Sequence, residues 1–227
     1  MKQRKINFNE TLLSFLKGRE PLSEIHIDGK IKTYDNAFVH IENRAFYGGN
    51  IGKLSISDIK IAGIADASIG IIRPVQSIKA PLFVAEKLDL LSLSRLIIDI
   101  PHPSSVSGFD PKCIDSLADI SKELSIVPRK NIIVESASNN PFSPYCFKGI
   151  FFRHHRFATG TAIRRYISWW NLCVSAADRS DDGAVCDANS FYGEFKNNYV
   201  SSSLVLRLIG AVIDDEWEND YINGFLF

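Results

Sequence analysis

The chain reads as an α+β protein, an α/β/α sandwich in which a central antiparallel sheet is flanked by helices. Three observations lead there. Strand-like alternation fills the first hundred residues, the connections between those stretches are too short for crossover helices, and helical spacing takes over after Pro103. With no low-complexity tract, no solenoid-period repeat and no Gly/Ser linker, residues 1–227 read as one domain.

The elements follow in order. MKQRKINFNETLLSFL is basic with a short, interrupted apolar run, and predicts a surface helix beginning near Asn9 rather than a signal peptide. EIHIDGKIKTY sets a DG dipeptide between two alternating runs, which predicts a hairpin. AFVHIENRAFY, a GG turn, KLSISDIKIAGI, ADASIGIIRPV, APLFVAEKLDL and SRLIIDIPHP continue as strands of a meander. DPKCIDSLADISKELSI then has helical spacing, with Asp110 as N-cap and Pro111 in the first turn. TAIRRYISWWNLCVSAAD predicts a second helix capped by Thr159 or Thr161, and a third lies within NSFYGEFKNNYVSSSLVLRLIG. DDEWENDYINGF closes the chain.

Composition bounds the function classes. Apolar residues make up 45% of the 227 and charged residues 23%, enough for a sizeable core. Twenty-six basic residues balance 26 acidic ones, so any electrostatic role is local and no global charge points to nucleic acid or a membrane surface. No segment approaches the roughly 20 apolar residues of a membrane span. Cys113, Cys146, Cys173 and Cys186 form no CxxC pair, which disfavours a zinc site, an iron–sulfur cluster or a disulfide framework. The expectation is a soluble protein of a reducing compartment, with no metal site.

APLFVAEKLDL carries the sharpest question. On a strand, Leu82, Val84, Glu86 and Leu88 share one face, while Phe83, Ala85, Lys87 and Asp89 share the other. A carboxyl group therefore interrupts an apolar row, where an unpaired charge costs several kcal/mol or takes up a proton. Either Glu86 faces a ligand, or it lies at a sheet edge, or the parity is off by one residue, which reverses both faces.

Three separated stretches resemble the ferredoxin-dependent bilin reductases, and among them the red chlorophyll catabolite reductases most. They are APLFVAEKLDLLSLSRLIIDIPHP (80–103), NNPFSPYCFKGIFFR (139–153) and the terminal DDEWENDYINGFLF. The resemblance spans roughly residues 45–227. It implies an antiparallel sheet between helices, with a linear tetrapyrrole such as biliverdin or a chlorophyll catabolite bound between the layers. The implied chemistry is sequential electron transfer from reduced ferredoxin, with protons delivered by side chains and no cofactor held by the protein. The implied setting is the cytoplasm, or the plastid stroma for a mature plastid protein.

On that resemblance the glutamate of FVAE, Glu86, matches the family's strand acid and its role as proton donor. A carboxyl on an apolar face has its proton affinity raised by desolvation, which suits the task. Arg153 matches the arginine that ends the apolar strand and is the first candidate for a substrate carboxylate, with Arg156 beside it. Ser143 of the Phe-Ser-Pro segment and Asp99, the strand Asp, are further substrate contacts; Asp99 equally suits a turn cap. Two departures stand out. Reductases that protonate the outer ring often carry a histidine seventeen residues before the strand acid, where this chain has Ile69, left as a substrate-lining residue. The family's second acid is missing from FKNNYVSSSL, where Asn198 and Tyr199 are the polar substitutes and Tyr199 is the one able to donate a proton. A non-catalytic bilin carrier of the same fold, and a reductase of another conjugated substrate, are the alternatives.

Other constellations are weaker. Lys148, Arg153, Arg156, Arg164 and Arg165 form a basic run that suits a carboxylate ligand, the acidic face of a ferredoxin, or a solvated surface. His154 and His155 are adjacent and so point apart on a strand, a poor metal pair. DRSDDGAVCDAN nearly reads as a calcium loop, but Asn189 stands where the bidentate glutamate belongs, and a polar inter-helix loop is the reading. Trp169 and Trp170 read as helix core.

Overall fold

The computed structural model describes residues 8–19, 21–76, 80–101, 142, 146–152, 156–177 and 183–227. The predicted helix after Asp110, Ser143, Arg153, the two histidines after it and the polar loop from Asp178 to Asp182 lie outside the described residues. Among those described, eight strands make one sheet. Its spine runs β1 (Ser23–Ile25), β3 (Val39–Gly48), β4 (Ile51–Ile61), β5 (Ala65–Pro74), β6 (Phe83–Leu90), β7 (Leu93–Asp99) and β8 (Phe147–Phe152). Every pairing is antiparallel, as connections too short for crossovers require. The β4–β5 turn needs Gly63, whose φ of 64° is left-handed.

Helices cover both faces, so the sandwich expected from the sequence is the architecture found. On one face α1 (Phe8–Lys17) and α3 (Arg156–Ala176) bury Leu12, Leu16, Tyr166 and Trp170 against Phe83, Ala85, Leu96 and Ile98. On the other, α4 (Gly183–Ser202), α5 (Leu204–Gly210), α6 (Asp215–Asp220) and a π-helical turn (Tyr221–Leu226) cover Ile69, Val84, Leu88 and Ile97. The period of two in the strands thus sorts side chains into two separate cores. Trp170 is fully buried and its Nε1 donates to the Pro81 carbonyl at 2.8 Å. Trp170→Ala is expected to cost about 3–5 kcal/mol of unfolding free energy, read from denaturant midpoints. Trp170→Phe should lose much less, and equal losses would mean the ring's volume carries nothing.

Three expectations need correction. The DG hairpin does not form: Asp28 accepts from Lys30 N at 2.8 Å and caps a single helical turn, α2 (Gly29–Lys32). Flanking it, β1 and β2 (Thr33–Asp35) do not pair with each other but both lie along one edge of β3. Tertiary bonds hold this turn, because Lys30 O accepts from Trp217 Nε1 and Ile31 O accepts from Asn43 Nδ2. The first helix is the surface helix expected, with Glu10, Ser14 and Lys17 exposed on its outer side, but its inner side carries a polar residue. Its Asn9 is fully buried and donates to Ser57 O and Asp58 Oδ1 at 2.9 and 2.8 Å, clamping α1 to β4. The second predicted helix begins at Arg156 rather than at a threonine cap. The third is two helices, broken at Ser203, whose φ −68°, ψ 120° is extended backbone.

Candidate functional site

The sheet face under α4 and α5 carries polar groups in a core that is otherwise apolar. Glu86 sits in the middle of β6, flanked across the strands by Ile69 and Ile97, and is 1% exposed. It is neither at an edge nor turned to the other side. Parity on β7 puts Arg95, Ile97 and Asp99 on the same face, and Lys148 of β8 stands opposite Ile97.

From the helices come Tyr199 and Ser203. They are four residues apart, the spacing that stacks two side chains on one helix face. Ser203 is also the N-cap of α5, and the helix breaks there because its hydroxyl takes over the bond to Leu206 N, at 3.1 Å. With that lone pair used, the Ser203 proton goes to Glu86 Oε2, at 2.5 Å. Tyr199 donates to the same oxygen at 3.1 Å, and Arg95 Nη1 to Oε1 at 2.9 Å.

These contacts pull the carboxyl in two directions. Burial raises the Glu86 pKa and is the larger effect; the Ser203 hydroxyl, the Arg95 charge and the Tyr199 hydroxyl each work against it. The net is a carboxyl with increased proton affinity. A proton on Oε1 would face only a guanidinium, which accepts nothing, so it belongs on Oε2, between two hydroxyl oxygens that can accept. Burial, and then the Glu86 charge, push Tyr199 well above its usual value, making it a poor acid by itself. The other face of β6 provides the contrast: Asp89 is 8% exposed there but is closed by Lys87 at 2.6 Å and Ser94 at 2.5 Å.

The remaining candidates separate. Asp99 is fully buried on the Glu86 face and accepts from Ile100 N at 2.9 Å, so it both faces the helices and ties down its own strand end. Asn198 is half-buried, on a different side of α4 from Tyr199, and its carbonyl accepts from Ser201 Oγ. Arg156 is the first residue of α3. The basic run is divided by the fold. Lys148 stands on the Glu86 face with its Nζ 4.2 Å from the centre of the Phe142 ring, whereas Arg164 stacks on Phe15 of α1, across the sheet. Burial lowers the Lys148 pKa, with the neighbouring Cys146 and Asp99 opposing it.

Sequence reasoning missed Arg95 and Ser203. Alternation along β7 sets Arg95, like Asp99, apart from Leu96 and Ile98, so a signal for it is present in the sequence. Ser203 carried only its i,i+4 relation to Tyr199. Ser203→Ala removes both a helix cap and a carboxyl donor. The expected loss is about 1 kcal/mol in denaturant midpoint, with the Glu86 pKa moving further up. An unchanged midpoint would mean the cap carries no stability.

Among the described residues no group of three or more His, Cys, Asp or Glu side chains is placed to hold a metal ion, and no helix is long and apolar enough to cross a membrane. Scans of the chain against protein-family models and curated proteins find no match. Solved structures do match. The crystal structure of phytochromobilin synthase from tomato in complex with biliverdin superposes with a TM-score of 0.81 at 15% identity, covering 97% of this chain and 82% of that one. At that identity the likeness is one of fold: the sheet between two helical layers is shared with that structure.

Proposed function

We propose that the chain reduces a linear tetrapyrrole, taking electrons one at a time from reduced ferredoxin, with Glu86 as a proton donor. The observation that carries this reading is the carboxyl itself, central in the sheet, 1% exposed, with raised proton affinity and facing the C-terminal helices. A fold shared with a protein crystallised around biliverdin supports the substrate class. Saturating one double bond takes two electrons and two protons. Ferredoxin supplies the electrons in two steps; Glu86 supplies one proton and is recharged from solvent, and water supplies the second proton. Ile69 lines the ligand beside the acid, Asp99 and Lys148 meet its polar rim, and Ser143, Arg153 and Arg156 remain the proposed contacts from the segment around β8.

A second reading has an observation in its favour. Among the described residues the helices across from Glu86 supply two hydroxyls and no second carboxyl to it, which suits a bilin carrier of the same fold. An anaerobic absorbance course with biliverdin, reduced ferredoxin and a ferredoxin-regenerating system separates the two. New product bands support the reductase. A shifted bilin spectrum with no further change supports the carrier, and no shift at all defeats both.

A further inference from the structure

At the other end of the Glu86 face two cations stand opposite each other. Lys53 of β4 and Arg73 of β5 are register partners and both are half-buried. Their strands carry Ser55 and Ser57, and Ile69 and Ile71, on this same face, so both side chains point toward α4 and the π-helical turn. Like charges directly opposite in a sheet are destabilising, and partial burial adds to the cost. Among the described residues no carboxylate lies within ion-pairing distance of either. Lys53 Nζ instead donates to the Gly224 carbonyl at 3.1 Å and lies 5.8 Å from the centre of the Phe225 ring.

Further positive charge gathers there. Lys196 of α4 donates to Asn223 Oδ1 at 2.8 Å, next to Gly224. Burial and the Arg73 charge bring Lys53 down to about 8, and burial lowers Arg73 as well. Tyr192 of α4, whose hydroxyl reaches the Ala80 carbonyl at 3.4 Å, is pushed up to about 12 by burial, so it stays neutral and gives Arg73 no counter-charge. The π-helical turn that presents Gly224 is itself a rare conformation, frequently found at functional sites.

We propose that Lys53 and Arg73 form a binding site for one carboxylate or phosphate group. Such an anion removes the repulsion and takes a bidentate partner in the guanidinium. Two sources fit. One is a free oxyanion. The other is a carboxylate of the molecule lying at Glu86, since Arg73 is four residues along β5 from Ile69, the neighbour of Glu86, or about 13 Å. That second source rests on the ligand-binding reading of the Glu86 face.

The test has two arms. In the first, thermal midpoints are compared in sodium phosphate and in sodium chloride at equal ionic strength. Wild type should gain about 3 °C from phosphate. Lys53→Met and Arg73→Met should both lose that gain, and both should melt higher than wild type at low salt without phosphate, because each relieves the repulsion. A Lys53 that merely braced Gly224 would give a lower midpoint on substitution, overturning the site, as would a wild type indifferent to phosphate. In the second arm, biliverdin and its dimethyl ester are titrated by absorbance. An ester at least tenfold weaker on wild type, but not on Arg73→Met, assigns the anion to the ligand's carboxylate. Equal binding of acid and ester rejects that source and leaves the free oxyanion. If wild type binds neither bilin, the proposed function fails, and the phosphate arm alone decides the site.

Discussion

Glu86→Gln is expected to bind biliverdin with affinity close to wild type and to reduce it about 10²–10⁴ times more slowly, the usual worth of a positioned proton donor. The substitution preserves shape. The amide oxygen of glutamine can accept from Arg95 as Oε1 does now, which leaves the amide nitrogen to donate between the Ser203 and Tyr199 hydroxyl oxygens, where the carboxyl proton sits. Arg95 loses its ion pair but retains solvent access, its side chain being 26% exposed. Removing a desolvated acid should therefore cost little stability near neutral pH. What is lost is a proton that can leave, because an amide does not give one up at any working pH. Absorbance reads both quantities, binding as the shift on mixing and turnover as product bands after reduced ferredoxin is added. Full turnover by the glutamine variant would remove Glu86 from the chemistry. Loss of binding with loss of turnover would make it a ligand contact instead.

Legibility in the sequence followed the period of the pattern. From β5 to β7 the strands run through consecutive apolar residues, such as Phe83–Ala85 and Leu96–Ile98, because both faces of the sheet are buried, and Glu86 and Asp99 stand out from those runs. Counting by twos grouped Glu86 with Leu82, Val84 and Leu88, and it is the fold that settles the parity the sequence left open. The DG dipeptide was not readable in the same way. Its local turn preference was overridden by Trp217 and Asn43, nearly 190 and about a dozen residues away, which take the turn's carbonyls. Buried polar side chains were the other blind spot. Asn9, Ser55 and Ser57 look like surface residues by type, yet their partners are a strand carbonyl, Phe225 O and the chain Tyr221–Ser57–Asn43. A single sequence does not reveal pairs that only the fold brings together. The Lys53–Arg73 opposition belongs to the same class, since it depends on the β4–β5 register.

Arg95→Met is expected to shift the pH dependence of the protein through Glu86, and the sign follows from linkage. The folded-state pKa of Glu86 already lies above its unfolded value, because burial outweighs its partners. Between those two values the native state holds more protons than the unfolded state, so stability is greatest below the unfolded value near 4.3 and falls as pH rises through the folded one. Removing the guanidinium takes away a charge that favours the ionised carboxylate, so the folded pKa rises further and the loss with pH deepens. Where the acid is ionised, the variant leaves it buried with two hydroxyls and no counter-ion, at a cost of the order of 3 kcal/mol. Where it holds its proton, toward lower pH, most of that cost disappears. Denaturant midpoints across pH 5–8 should therefore diverge from wild type as pH rises. If Glu86 is the donor, the alkaline fall in turnover should move the opposite way to the stability, to higher pH, because the protonated form persists longer. A structural role alone would give the stability effect without moving the turnover profile, and parallel curves at every pH would mean that Arg95 is not tuning the acid.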